Sequence, residues 1–116
     1  MERIGKVEFT IFDYFVQIVV TDDIVKSRNK RAPMLGSTYT EIGTTKGLHS
    51  YNDGLSNAYL FLNPDTDAGT IAHECFHAIH RMFKRIGAEI EEEITAYYLG
   101  YLVLEVTKFI GVKKRK

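Results

Sequence analysis

The segment from Thr70 to Ile86 carries the pattern that most narrows what this chain can fold into. Its apolar residues recur at roughly helical spacing, and Gly87 after it suits the left-handed residue that ends many helices. Within the segment, His73 and His77 are four residues apart. Residues at that spacing lie one above the other on the same helix face, so two imidazole rings can reach one point in space.

Glu74 completes a His-Glu-x-x-His pattern, because it lies one step around the helix from that point. The pattern is typical of two zinc ligands and a carboxylate that takes a proton from metal-bound water. The sequence therefore predicts a Zn²⁺ site with His73 and His77 as metal ligands and Glu74 as the catalytic general base. Cys75 points about 160° away from both histidines and is interpreted as a small core residue.

A catalytic zinc site usually has three protein ligands, so one more is needed. Candidates lie at the start of the next predicted helix: Glu89, Glu91, Glu92 and Glu93. Acidic residues in a first turn interact favourably with the helix dipole, and most should face water. The face of Glu93 differs, because it continues through small and apolar residues and is expected to point inward: Ala96, Tyr97, Gly100 and Leu104. A buried carboxylate needs a partner, so we predict Glu93 as the third ligand and keep Glu92 as the alternative.

Length and composition favour a single domain over residues 1–116, with 45% hydrophobic and 26% charged residues. Formal net charge is zero, so no nucleic-acid partner is expected, and the basic run at 113–116 is interpreted as a solvated tail. One cysteine cannot form an internal disulfide. The start of the chain lacks the apolar core of a signal peptide, and the apolar stretch at 94–104 is too short to span a bilayer. We therefore expect a cytoplasmic protein without a membrane segment.

The alternation of apolar and polar residues predicts the remaining elements. Residues 7–18 favour strand with a phase switch near Asp13, although a helix over 12–25 is an alternative. A short helix capped within 21–23 and running to about Lys30 is predicted next, and a loop is predicted over 28–33. Three strands are predicted at 38–42, 48–51 and 58–62, with a loop at 43–47 and a hairpin turn at 52–54. The last helix, 89–109, is apolar on almost every side and is expected to be central in the core.

Three pieces of the sequence together resemble a known family: Ala58–Leu62, Thr70–Ala78 and Glu92–Gly100. A Glu-x-x-Ala on a helix shortly after His-Glu-x-x-His resembles the gluzincin branch of zinc metallopeptidases, and most closely the minimal ImmA-like and SprT-like zincins of phage and bacterial genomes. The resemblance covers about the last 60 residues. The metzincin branch fits less well, because it would have Gly at position 80 and His at position 83, where this chain has His80 and Phe83.

The resemblance implies an α+β fold, with a small antiparallel or mixed sheet packed on helices and the site under the edge strand of the sheet. It implies His73, His77 and Glu93 as ligands and Glu74 as the general base. The activity expected is hydrolysis of a protein or peptide substrate, which would pair with Ala58–Leu62 as the edge strand. One alternative is a non-catalytic zincin-like metal-binding module that binds a partner protein. Another is that the pattern arises by coincidence, in a core helix with polar boundary residues and no metal.

Four other residues near the expected site have open roles. His80 lies one turn beyond His77 and is either a supporting group or a hydrogen-bonded boundary residue. His49 is expected close to the cleft. Tyr97 and Tyr98 could donate a phenol to a developing oxyanion, but aromatic residues in an apolar helix more often belong to the core.

Overall fold

The computed structural model describes residues 2–35, 46–52, 56–87 and 91–111. Its strands are β1 (Glu2–Phe9), β2 (Tyr14–Thr21), β3 (Gly47–Tyr51) and β4 (Asn57–Leu62). Its helices are α1 (Ile24–Lys30), α2 (Ala32–Leu35), α3 (Ala68–Ile86) and α4 (Glu92–Ile110), and a 3₁₀ turn spans Thr10–Phe12. These elements confirm the predicted α+β class.

The four strands form one mixed sheet in the order β1-β2-β4-β3. β1 pairs with β2 and β3 pairs with β4 in antiparallel fashion, whereas β2 and β4 are parallel. β4 is therefore an interior strand, and the prediction that Ala58–Leu62 lies at the edge is wrong. Every residue of β4 is buried, which is what a strand covered on both faces requires.

Alternation along the strands divides the core between the two faces of the sheet. One face carries Val16, Ile18, Leu60 and Leu62, and it packs against α3 and α4. The opposite face carries Val19, Tyr59 and Phe61, and it packs against Ile24 of α1 and Leu35 of α2. The sheet thus lies between two layers of helices. The Thr70–Ile86 segment belongs to α3, which packs on the face that carries the larger cluster of buried residues.

The predicted phase switch near Asp13 is a turn, in which Asp13 adopts the left-handed conformation with φ of 50°. Ile11, predicted to continue the first strand, lies in the 3₁₀ turn and is 79% exposed. The alternative helix over 12–25 is not formed, since Tyr14–Thr21 is strand. The short helix predicted to run to about Lys30 is formed as α1. The loop predicted at 28–33 is wrong, because α1 covers its first residues and α2 begins at Ala32. The strand predicted at 38–42 lies outside the described residues, as do most of the loop at 43–47 and most of the turn at 52–54.

Both long helices begin and end with local signals. The Asp67 side chain caps α3 by accepting a hydrogen bond of 2.7 Å from the backbone N–H of Thr70, and Gly87 ends the helix in the left-handed conformation. The Glu91 carboxylate caps α4 by accepting from the backbone N–H groups of Glu93 and Ile94. Within the parts of the chain that the structure describes, no helix is long and apolar enough to cross a membrane.

The prediction that α4 is central in the core is wrong. Only Leu102 and Val106 of this helix are fully buried, and one of its faces contacts α3 and β1. Arg3 of β1 fixes the end of α4 by donating hydrogen bonds to the carbonyl oxygens of Phe109 and Ile110. The other face of α4 is exposed to solvent.

Candidate metal centre

His73 and His77 lie on the outer face of α3, where both side chains are exposed. Their Nε2 atoms are 3.2 Å apart, and their ring centroids are 4.8 Å apart. The two rings therefore converge on one point, as the four-residue spacing predicts. At this distance one neutral ring can donate its N–H to the other.

Glu74 is half-buried on the flank of α3 that faces β3. At Gly47, the first residue of β3, an added Cβ would lie 3.0 Å from Cγ of Glu74 and 2.7 Å from Cγ2 of Thr70. The absence of a side chain at Gly47 lets the edge strand approach α3 at the motif carboxylate. The prediction of a loop at 43–47 is wrong for Gly47, which belongs to β3. Gly47 lies two residues before His49, so the two residues share one face of the strand, and this spacing could have predicted the contact.

Alternate residues of β3 lie over successive turns of α3. Gly47 approaches Glu74, the His49 ring stacks with His77 at 6.1 Å between centroids, and Arg81 lies 4.1 Å from the centre of the Tyr51 ring. Two residues of a strand span about 6.8 Å and four residues of a helix span about 6 Å. Every second residue of β3 can therefore lie beside the next turn of α3. β3 therefore forms one wall of the site and takes the place that was predicted for β4.

His49 is half-buried in this wall. Burial lowers its pKa to about 4, and the nearby His77 and Arg81 add to the effect, so its ring is neutral at pH 7. Its Nε2 is buried and makes no hydrogen bond to the residues that the structure describes. His80 is half-buried at the outer end of the site, where its ring lies 5.9 Å from that of Phe76.

Cys75 is fully buried, which confirms that it is a core residue. Burial raises the pKa of its thiol to about 12, and Glu74 contributes in the same direction. The two tyrosines of α4 differ. Tyr98 packs edge-on against Phe9, Phe12 and Phe83, whereas Tyr97 is 73% exposed, so the expectation of a core position is right only for Tyr98.

The structure does not bring Glu93 to the imidazole pair. α3 and α4 pack against each other as a helical hairpin, with Tyr98 beside Phe83. His77 precedes Phe83 by six residues and Glu93 precedes Tyr98 by five, and in a hairpin these displacements add to roughly 16 Å along the helices. Glu92 and Glu93 are both exposed, and the face of α4 that was expected to point inward faces solvent.

His73 and His77 fit two of the four ligand positions of a tetrahedral zinc site. Zn–N distances of 2.0–2.1 Å and tetrahedral angles place two nitrogen ligands about 3.3 Å apart, which is close to the observed 3.2 Å between the Nε2 atoms. Among residues 2–35, 46–52, 56–87 and 91–111, no group of three His, Cys, Asp or Glu side chains is arranged to hold a metal ion. The candidate Glu89 lies outside these residues. The pair with Glu74 beside it is thus the part of the predicted centre that the fold assembles.

Comparisons with known proteins identify no relative of this chain. No family model, no curated protein and no solved structure matches it.

Proposed function

We propose that the protein is a zinc-dependent peptidase with His73 and His77 as metal ligands and Glu74 as the general base. The observation that supports this most directly is the 3.2 Å separation of the two Nε2 atoms on the exposed face of α3, with a half-buried carboxylate one residue away. Zinc held there would act as a Lewis acid that polarises a peptide carbonyl and makes a water molecule more acidic.

The residues of the chain then have distinct tasks. The imidazole rings of His73 and His77 would hold the metal as neutral ligands through Nε2. The Glu74 carboxylate accepts a proton from the attacking water and delivers it to the leaving amine. Glu93 remains the predicted third ligand and Glu92 the alternative, and either role requires the start of α4 to lie closer to α3 than it does here.

The edge strand β3 supports a peptide as the substrate. Among the strands that the structure describes, β3 is paired on one side only, and an extended chain can add to such an edge through main-chain hydrogen bonds. A peptide paired with β3 would lie across the site next to His49 and Gly47. This replaces the expectation that the substrate pairs with β4, which is hydrogen-bonded on both sides.

Replacing Glu74 tests the function. Glu74→Gln should bind zinc as the wild type does but cleave unfolded, fluorescently labelled casein at least about 100-fold more slowly, because proton transfer by a positioned carboxylate is lost. Glu8→Gln is the matched control, since Glu8 is an exposed carboxylate on β1. Undiminished cleavage by Glu74→Gln would remove the mechanism.

The same assay distinguishes the second candidate, a metal-binding module that binds a partner protein without turnover. The exposed apolar face of α4 is the observation in its favour, because such faces mark interaction surfaces. A wild-type protein that binds zinc tightly and cleaves no peptide would support this candidate over the peptidase.

A further inference from the structure

Four large apolar side chains form a continuous row on the solvent side of α4: Ile94, Tyr97, Tyr101 and Leu104. We call this row the α4 stripe. Their exposed fractions are 49%, 73%, 40% and 54%. The spacing of three, four and three residues keeps them on one helix face, in the pattern of a helix seam. Scattered apolar residues are normal on a surface, but a contiguous row on one helix is typical of an interface.

The stripe ends in opposite charges. Glu93 precedes it and Lys108 follows it, and both are exposed on the same face of the helix. Lys108 also forms an exposed salt bridge of 3.4 Å with Glu105 in the same helix, and such a surface pair can be exchanged for another at little cost. Glu93 and Lys108 are separated by fifteen residues, or about 22 Å of helix. If two copies of α4 packed in parallel, Glu93 would face Glu93 and Lys108 would face Lys108. If they packed antiparallel, each Glu93 would lie beside Lys108 of the other copy.

We propose that the α4 stripe is the interface of a two-fold symmetric homodimer in which α4 packs antiparallel against α4 of a second copy. Pairing Glu93 with Lys108 also places Tyr97 opposite Leu104 of the second copy, so charge and apolar contacts share one register. A two-fold interface of this kind is self-complementary, as closed dimers require.

Two features beside the stripe fit this register. Gly100 lies next to the two-fold axis, and an added Cβ there would meet no atom within 4 Å, so the helix backbones can approach closely. A hollow of about 450 Å³ adjoins the first turns of α4 and is lined by Phe12, Glu93, Ile94, Tyr97 and Tyr98. Leu104 of the second copy would enter this hollow from the opposite helix.

The self-association of the purified protein tests the proposal. Sedimentation velocity between 5 and 500 µM should show a concentration-dependent shift from monomer to dimer. Leu104→Glu should raise the dimer dissociation constant about tenfold or more, because it removes a central apolar contact and adds a charge. Ile4→Glu is the control, since Ile4 is 56% exposed on β1, away from the stripe. A protein that stays monomeric at 500 µM would overturn the proposal. Binding of such a monomer to anionic vesicles would assign the α4 stripe to a membrane surface and would also overturn it.

A charge exchange tests the antiparallel register. Glu93→Lys and Lys108→Glu should each weaken self-association, because each homodimer then contains two pairs of like charges. An equimolar mixture of the two variants should restore the dimer, since both pairs become opposite. Glu92→Lys is the matched control, with the same change of net charge on another face of the same turn. Circular dichroism verifies that each variant is folded, and a mixture that associates no better than its components would refute the antiparallel dimer.

Discussion

At the scale of the residue, Gly47 controls how closely the edge strand approaches the motif helix. Its position leaves room only for a hydrogen atom, because Thr70, Glu74 and Leu62 all lie within about 3 Å of an added Cβ. The residue acts through the distance between β3 and α3, not through a functional group. It therefore sets the width of the cleft beside Glu74.

Gly47→Ala should lower the free energy of unfolding by about 1–3 kcal/mol, since the added methyl group has to displace packed side chains. It should also lower kcat/KM for casein cleavage, because the edge strand moves away from the motif helix. Gly69→Ala is the control, because Gly69 is exposed in the first turn of α3. An added Cβ there would make only an ordinary van der Waals contact of 3.4 Å with Oδ1 of Asp67. Denaturant unfolding and initial rates measure both effects, and equal stability of Gly47→Ala and the wild type would contradict this account of the packing.

Several single-residue features could be predicted from the sequence because each depends on a few neighbouring residues. The convergence of His73 and His77 follows from helix spacing, and the burial of Cys75 follows from its angle on the same helix. The cap at Asp67 and the left-handed end at Gly87 follow from local chemistry. The role of Gly47 depends on which strand lies over α3, and this is a property of the tertiary fold.

At the scale of the element, α4 and β4 show where an apolar pattern is ambiguous. α4 is apolar on nearly all sides, so its sequence does not indicate which face is buried. The face predicted to be buried, which includes Tyr97 and Leu104, is exposed, whereas Leu102 and Val106 are buried. The choice of Glu93 as an inward-facing residue depended on that prediction. β4 carries the continuous apolar run Ala58–Leu62, which is typical of an interior strand. Its interior position in the sheet was therefore predictable from the sequence.

The attachment of β1 to α1 gives a prediction at this scale. Hydrogen bonding from Arg31, with further contributions from Ser27 and Lys30, lowers the pKa of Glu2 to about 2. A carboxyl whose pKa is lowered by folding adds stability above its unfolded pKa of 4.5, and this stability is lost as the pH falls from 4.5 towards 2.

Glu2→Gln should therefore cost about 2 kcal/mol of unfolding free energy at pH 7, with the difference from wild type shrinking below pH 4.5. This allows for partial solvent screening, since 19% of the Glu2 side chain is exposed. Glu8→Gln should change stability by only a few tenths of a kcal/mol, because its pair with Lys6 is exposed. Urea unfolding across the pH range measures the difference, and a difference that stays constant down to pH 2 would contradict the assignment.

At the scale of the whole molecule, the sheet separates two helical layers and presents one edge beside the candidate metal centre. The outer face of α3, the wall formed by β3 and the exposed side of α4 are distinct surfaces. The imidazole pair and the α4 stripe therefore lie on different helices, and Leu104→Glu tests the dimer without changing a predicted metal ligand. The class of the fold was predictable from alternating strand and helix patterns, but strand order was not, because it is fixed by pairing between segments far apart in sequence.

The binding of zinc by protein purified without a histidine tag is the most direct test of the central claim. Wild-type protein loaded with zinc and then dialysed should retain one zinc per chain by elemental analysis, and X-ray absorption should report two imidazole ligands. His73→Ala and His77→Ala should each weaken zinc binding by about 100-fold or more, whereas His80→Ala should retain the full stoichiometry. A wild-type protein that retains no zinc, or one whose zinc is unaffected by loss of His73 or His77, would contradict the account.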